Sequence, residues 1–62
     1  MRLIDCYLGE ADLTGANLQG ASFFLTNLTG ADLTGANVDD VDFAQARGLN
    51  LEGTIGTPFR MP

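Results

Sequence analysis

Few side chains in this sequence could do chemistry, and none of them has a suitable neighbour. The chain contains one cysteine, Cys6, and neither histidine nor lysine. This thiol therefore has no general base beside it, and zinc lacks its usual Cys and His ligands. The acidic run Asp39, Asp40 and Asp42 lacks the spacing and the glycine of a calcium loop. No lysine follows residues 53–56, so they are not a phosphate loop. We predict a protein that is not an enzyme and has no cofactor, metal site or small-molecule substrate.

Composition and net charge limit the classes of protein and of partner that this chain fits. Sixty-two residues make one small domain, and 45% hydrophobic residues make a packed core plausible. A net charge of −5, with only three arginines, disfavours direct binding to nucleic acid or to anionic membranes. The first eight residues lack the apolar run of a signal peptide, and Asp5 before Cys6 does not fit a lipoprotein cleavage site. We expect a cytoplasmic location, and an acidic surface of this kind could attract a basic protein.

A five-residue repeat runs through most of the chain. The first position is mostly small, the second is mostly Asp, Asn or Ser, and the third is large and apolar. The third-position residues are Leu3, Leu8, Leu13, Leu18, Phe23, Leu28, Leu33, Val38 and Phe43. Neither a helix nor a straight strand gathers such residues on one face, because five residues advance a helix by about 140° and an odd period alternates strand faces. The chain must therefore turn once per repeat, and glycine at the fifth position favours this.

A longer period sets the number of turns per coil. The heptapeptide ADLTGAN occupies residues 11–17 and again 31–37, a shift of twenty residues. Phe23 and Phe43 are also twenty apart. Twenty residues hold four repeats, so the pattern predicts a four-sided β-solenoid of slightly more than two coils, with residues i and i+20 stacked.

The chain resembles the pentapeptide-repeat family over residues 1–45, most clearly in ADLTGANLQG and ADLTGANVDD. The resemblance implies an all-β fold, a right-handed quadrilateral β-helix with the central Leu or Phe and the small first residue inside. We expect residues 1–47 to form the solenoid domain. The repeat pattern decays after them, and residues 48–62 are expected to form an irregular C-terminal capping segment.

Stacking at a period of twenty also predicts surface columns. Asn17 and Asn37 should form an asparagine ladder. Asp12 and Asp32 should lie side by side, either as two solvated carboxylates or bridged by a metal ion.

A third surface column is apolar. Ile4, Phe24 and Ala44 occupy the fourth position, with Leu25 beside Phe24. We interpret these four residues as a candidate interface, which either the C-terminal tail or a protein partner would cover. That partner could be a second copy, giving a homodimer.

The repeat begins at the first residue without a cap, which leaves open a fragment of a longer solenoid or end-to-end pairing. For function, the favoured hypothesis is a structural or protein-protein interaction module of unknown partner. The alternative is an acidic DNA mimic that inhibits a nucleic-acid enzyme such as a topoisomerase, a role known in the family that this chain resembles. Two coils span only about 10 Å, and the carboxylates are scattered, which counts against the mimic.

Overall fold

The computed structural model describes residues 2–61, and within that range it contains no helix and no continuous β-strand. Single residues pair instead in isolated parallel β-bridges. Six of these bridges join residues twenty apart: Arg2–Ser22, Tyr7–Asn27, Asp12–Asp32, Asn17–Asn37, Ser22–Asp42 and Asn27–Arg47. The predicted stacking of i on i+20 is therefore confirmed as a ladder of bridges.

The bridges arrange the second-position residues in four columns, and one coil is the twenty residues that pass all four columns once. The first column holds Arg2, Ser22, Asp42 and Arg60; the second holds Tyr7, Asn27 and Arg47; the third holds Asp12 and Asp32; the fourth holds Asn17, Asn37 and Ile55. Asn27 shows the bonding at each step. Its N–H donates to the Cys6 carbonyl at 2.9 Å, and its carbonyl accepts from the Leu8 N–H at 2.8 Å. Both backbone groups of a second-position residue thus bind the preceding coil.

A tight turn separates one column from the next. The Ala11 N–H donates to the Leu8 carbonyl at 3.1 Å, and the same four-residue turn recurs through the repeats. The fifth-position residue of each turn has a positive φ, as at Gly35 (φ 76°). A side chain is strained in this left-handed region, which explains why glycine recurs at that position.

The polar second position has a role in the turn as well as in solubility. The Asp12 Oδ1 accepts hydrogen bonds from the Thr14 N–H at 3.1 Å and the Thr14 hydroxyl at 2.7 Å. Asn27 repeats the arrangement with Thr29 at 3.0 and 2.7 Å. These are Asx turns, in which a short Asp or Asn side chain fixes the backbone two residues on.

The expected asparagine ladder is present in the backbone but not as a chain of side-chain amides. Asn17 and Asn37 form a bridge. Their Oδ1 atoms, however, accept the N–H groups of Gln19 at 3.2 Å and Asp39 at 3.0 Å. Each amide oxygen therefore serves its own turn.

The core lies inside the columns and is best packed in the second coil. Its fully buried large residues are Phe23, Leu28, Leu33, Val38, Val41 and Phe43. Phe23 and Phe43 stack with ring centroids 5.4 Å apart and tilted by 36°. Leu3, Leu8 and Leu13 pack on this core but stay partly exposed, because the described chain places no coil before theirs.

The segment after residue 47 is less irregular than the sequence pattern indicated. Ile55 pairs with Asn37, and Arg60 pairs with Asp42, both at an offset of eighteen. The Val38 N–H donates to the Ile55 carbonyl at 2.8 Å. The tail therefore pairs with the fourth and first columns again, at an offset two residues shorter than that of the repeat region. A division of the chain at residue 47 remains a prediction.

Within residues 2–61 there is no helix that is long enough and apolar enough to span a membrane.

Candidate interaction surfaces

The four residues of the predicted interface lie on one turn column. The Asp5 N–H donates to the Phe24 carbonyl at 2.9 Å, and the Leu25 N–H donates to the Ala44 carbonyl at 3.1 Å. These bonds bring the turns of three successive coils into register. We call Ile4, Phe24, Leu25 and Ala44 the apolar turn surface.

This turn column lacks glycine in all three coils. Asp5, Leu25 and Gln45 have φ values of 57°, 62° and 58°. Asp tolerates the left-handed region better than most residues, whereas a bulky residue such as Leu is disfavoured there. Leu25 is thus a strained residue on the surface, and strain of this kind is found more often at functional positions.

The apolar turn surface is partly open to solvent. Ile4 is 49% exposed and Leu25 is 36% exposed, while Phe24 and Ala44 are half-buried. Within residues 2–61 the tail pairs with the fourth column at Ile55 and with the end of the first column at Arg60. Whether the tail or a protein partner covers the apolar turn surface stays a prediction.

The two stacked carboxylates, Asp12 and Asp32, are engaged by their own turns. The Thr14 hydroxyl, and secondarily the Thr14 N–H, lower the pKa of Asp12 below its ordinary value. Thr34 lowers the pKa of Asp32 in the same way, and the charge of Asp12 opposes that shift. Both groups are therefore ionised at neutral pH. Among the bridges within residues 2–61, this is the one pair of acids, so the rows of charge that a DNA mimic needs do not form along the columns.

The other chemistry-bearing residues are not brought together. No group of three Cys, Asp or Glu within residues 2–61 could hold a metal ion. Cys6 occupies a first position, which the family resemblance places inside, but it is only half-buried because it belongs to the first coil. Its Sγ lies 3.5 Å from the Ile4 carbonyl oxygen. The Asp42 Oδ1 accepts the Ala44 N–H at 2.9 Å, which is again a turn contact.

Sequence reasoning missed a cleft beside the third column. Its volume is about 460 Å³, and it lies between the second coil and the tail. The lining residues are Gly30, Ala31, Asp32, Leu33, Thr34, Gly48, Asn50 and Glu52, which we call the third-column cleft. A signal was present in the sequence, since Leu49-Asn50-Leu51-Glu52-Gly53 fits the five-residue pattern but starts two residues early.

The shortened turn explains why the cleft is open. Arg47 still pairs with Asn27 at an offset of twenty, whereas Ile55 pairs with Asn37 at an offset of eighteen. The path between Arg47 and Ile55 is therefore two residues shorter than in the repeat region. Gly48 passes so close to Thr29 that a Cβ atom there would lie 2.6 Å from the Thr29 Cα. The pentad that follows does not bridge to Asp32, and the tail returns to the ladder where the Gly35 N–H donates to the Gly53 carbonyl at 2.8 Å.

Comparison with known proteins identifies the repeat. No curated protein and no solved structure shows significant similarity to the chain. The family model for pentapeptide repeats matches eight copies over residues 6–45, which is more than half of the chain. With its twenty-residue ladder and Asx turns, the chain belongs to the pentapeptide-repeat family.

Proposed function

We propose that this chain is a non-enzymatic module that binds another protein through the apolar turn surface. Family membership is compatible with a repeat module that has no catalytic role. The observation that carries the proposal is Leu25, a large apolar residue that is held at φ 62° and remains 36% exposed. A fold selected only for stability would place glycine there, as it does at four other turns of the repeat region.

The finer architecture is part of the proposal. Pentapeptide repeats generally form a right-handed quadrilateral β-helix, and four columns with four turns per coil are compatible with it. Such a scaffold holds its side chains at fixed spacings of about 4.8 Å between coils. A rigid surface loses little conformational entropy on binding. A crystal structure with a left-handed path or a different number of sides would contradict this assignment.

The test of the interface uses a substitution that the turn already accepts. Leu25→Asp places at this turn a residue that Asp5 and Asp40 show to be compatible with a positive φ. It removes apolar area and adds a charge. Gln45→Asp is the matched control, because Gln45 occupies the same turn column one coil further on and contributes no large apolar side chain.

Two measurements cover the two kinds of partner. Light scattering after size-exclusion chromatography, over a wide concentration range, reports a second copy of the chain. Affinity capture from extracts of the producing organism reports a different protein. We expect the dimer, or the captured protein, to be kept by Gln45→Asp and lost by Leu25→Asp. A monomer at every concentration, together with identical capture by wild type and Leu25→Asp, would refute the proposal.

A further inference from the structure

One side of the first coil, residues 2–20, carries backbone groups that are not paired within residues 2–61. Second-position residues bind the preceding coil with both groups: the Asn27 N–H donates to the Cys6 carbonyl at 2.9 Å, and its carbonyl accepts from the next coil at 2.8 Å. The corresponding residues of the first coil are Tyr7, Asp12 and Asn17. Their N–H and carbonyl groups have no hydrogen-bond partner within residues 2–61. We call this side of the coil the first-coil face.

The first-coil face also exposes apolar side chains. Leu3, Leu8 and Leu13 lie on it and are only partly buried, whereas Leu28 of the second coil is completely buried. The second-position side chains around its edge are all exposed, namely Arg2, Tyr7, Asp12 and Asn17. An edge that combines free donors and acceptors with apolar surface is a template for pairing with another chain.

A second copy of the chain matches this face in an antiparallel arrangement. Two copies that meet face to face about a two-fold axis run in opposite directions around their coils. Second-position residues then oppose second-position residues, and each opposed pair can exchange two N–H···O=C hydrogen bonds. The large third-position residues oppose the small first-position residues, so the two apolar surfaces can interdigitate. The free backbone groups and the partly exposed leucines are therefore covered together.

The charges on the face favour one placement of the second copy. Four columns allow four registers. In one of them Arg2 lies opposite Asp12 of the second copy, twice by symmetry, while Tyr7 and Asn17 each lie opposite their own equivalents. In another, Arg2 opposes Arg2 and Asp12 opposes Asp12, and the remaining two registers place both charges opposite neutral residues. Only the first register pairs opposite charges, and it does so at two places.

The surroundings of Asp12 agree with this register. Hydrogen bonds from the Thr14 hydroxyl and N–H lower the pKa of Asp12, so its carboxylate is charged at neutral pH. Both bonds go to Oδ1, which leaves Oδ2 for a guanidinium group. The other two acids of the first coil, Asp5 and Glu10, come opposite uncharged residues of the second copy. No two carboxylates therefore oppose each other directly.

From these observations we infer that the first-coil face binds the same face of a second copy of the chain, with Arg2 opposite Asp12 and Tyr7 on the two-fold axis. The inference goes beyond the proposed function and does not rest on it, because Leu25 belongs to the second coil. The extents of the chain, 23 × 21 × 18 Å, give an end face of roughly 400 Å² per copy. This is about half the size of a standard interface, so we expect a dissociation constant of roughly 0.1 mM.

Charge reversal in the full chain tests the register, with sedimentation equilibrium as the measure of self-association. Arg2→Asp and Asp12→Arg each set like charges opposite each other at two places, and each should weaken the dimer about tenfold or more. The double variant restores both pairs in the reverse order and should dimerise within about threefold of wild type. A wild-type chain that stays monomeric at about 1 mM would overturn the inference, as would a double variant that dimerises no better than the single variants.

Two controls separate this register from general repulsion between acidic chains and from damage to the fold. Asp12→Arg reduces the net negative charge of −5, so general repulsion predicts a tighter dimer, whereas the inference predicts a weaker one. Asp42→Arg makes the same change of charge and removes a similar turn contact, to the Ala44 N–H, but lies two coils from the face. It should change the dissociation constant less than about twofold, and equal weakening by Asp42→Arg and Asp12→Arg would contradict the placement. Arg2→Asp touches no Asx turn, so it tests the pairing even where Asp12→Arg weakens the fold.

Amide exchange reports the backbone pairing itself. Between about 0.05 and 1 mM chain, exchange at Tyr7 and Asn17 should slow about threefold, because a larger share of these N–H groups is then bonded across the dimer. Exchange at Asn27, which already donates to Cys6, should not change. Unchanged exchange at Tyr7 and Asn17 in a chain that dimerises would contradict the inference.

Leu25→Asp distinguishes this face from the apolar turn surface. It should leave the first-coil dimer within about twofold of wild type, and affinity capture is then the readout for the apolar turn surface. A dimer that Leu25→Asp keeps and Arg2→Asp loses supports this inference, whatever the capture shows. A dimer that Leu25→Asp loses and Arg2→Asp keeps would assign the contact to the apolar turn surface and overturn it.

Discussion

The stacking of Phe23 on Phe43 makes a quantitative prediction about coupling between coils. Both rings are fully buried, and their centroids lie 5.4 Å apart. A chain of this length has a free energy of unfolding of about 3–9 kcal/mol. Replacing either phenylalanine by alanine would cost about 3–5 kcal/mol and would risk unfolding the protein. Leucine is the better replacement, since we expect it to cost about 1.5 kcal/mol.

The prediction concerns the double variant. An aromatic pair at this distance contributes about 0.5–1.5 kcal/mol beyond the area that it buries. Either single replacement already loses that contribution. The variant with both Phe23→Leu and Phe43→Leu should therefore cost about 0.5–1.5 kcal/mol less than the sum of the two single variants.

Urea unfolding followed by far-ultraviolet circular dichroism measures these free energies. The control cycle pairs Phe43→Leu with Leu8→Val, because Leu8 follows Tyr7 of the second column in the first coil, whereas Phe43 follows Asp42 of the first column two coils further on. These two changes should add within about 0.5 kcal/mol. A coupling near zero for the Phe23–Phe43 pair, or one equal to that of the control pair, would refute the stacking at twenty residues.

Three further predictions concern the turns. Gln45→Gly should raise the free energy of unfolding by about 0.5–1 kcal/mol in urea titrations, because Gln45 has a φ of 58°; an unchanged or lower stability would argue against strain at that turn. Asn27→Ala should lose about 1–2 kcal/mol, because two hydrogen bonds to Thr29 disappear, whereas Asn27→Asp should stay within about 0.5 kcal/mol of wild type; equal losses would show that the Asx turn is not responsible. The lowered pKa values of Asp12 and Asp32 give stability that is complete above their unfolded value of 3.8 and is lost as pH falls through the lower folded values. Thermal unfolding between about pH 5 and pH 2 should show this decline, and the double variant Asp12→Asn, Asp32→Asn should show less of it; an identical decline would assign it to other carboxylates.

The sequence predicted the stacking because its signal is strong and local. The heptapeptide ADLTGAN occurs twice, twenty residues apart, and so indicates the period directly. The bridges Asp12–Asp32 and Asn17–Asn37 join equivalent residues of its two copies. The apolar turn surface followed from the same period. Its role in binding remains a prediction, since a surface column does not identify its partner.

The role of the second position was harder to read. The sequence predicted a ladder for the asparagines and solvated or metal-bridged carboxylates for Asp12 and Asp32, but each oxygen accepts the N–H two residues on, as Asn27 does from Thr29. A pattern of polarity shows that a side chain points outward. It does not show which hydrogen bond the side chain makes, because that depends on the turn conformation.

The third-column cleft could not be predicted from the repeat alone. The pentad that begins at Leu49 is visible in the sequence, yet whether it pairs with Asp32 depends on the path of the chain from Arg47 through Gly48. Two missing residues can be absorbed by a tighter turn or by a lost bridge. The three-dimensional path decides between them, and here the bridge is lost.

Amide hydrogen exchange, measured residue by residue by NMR, tests most directly the claim that this ladder is continuous except at one place. The account predicts slow exchange at Leu28 and Val38, whose N–H groups donate to Arg47 and Ile55 at 2.8 Å. It predicts fast exchange at Leu33, although its side chain is as deeply buried as theirs. Protection of Leu33 equal to that of Leu28 and Val38 would contradict the account, because the missing bridge would then be made within the chain itself.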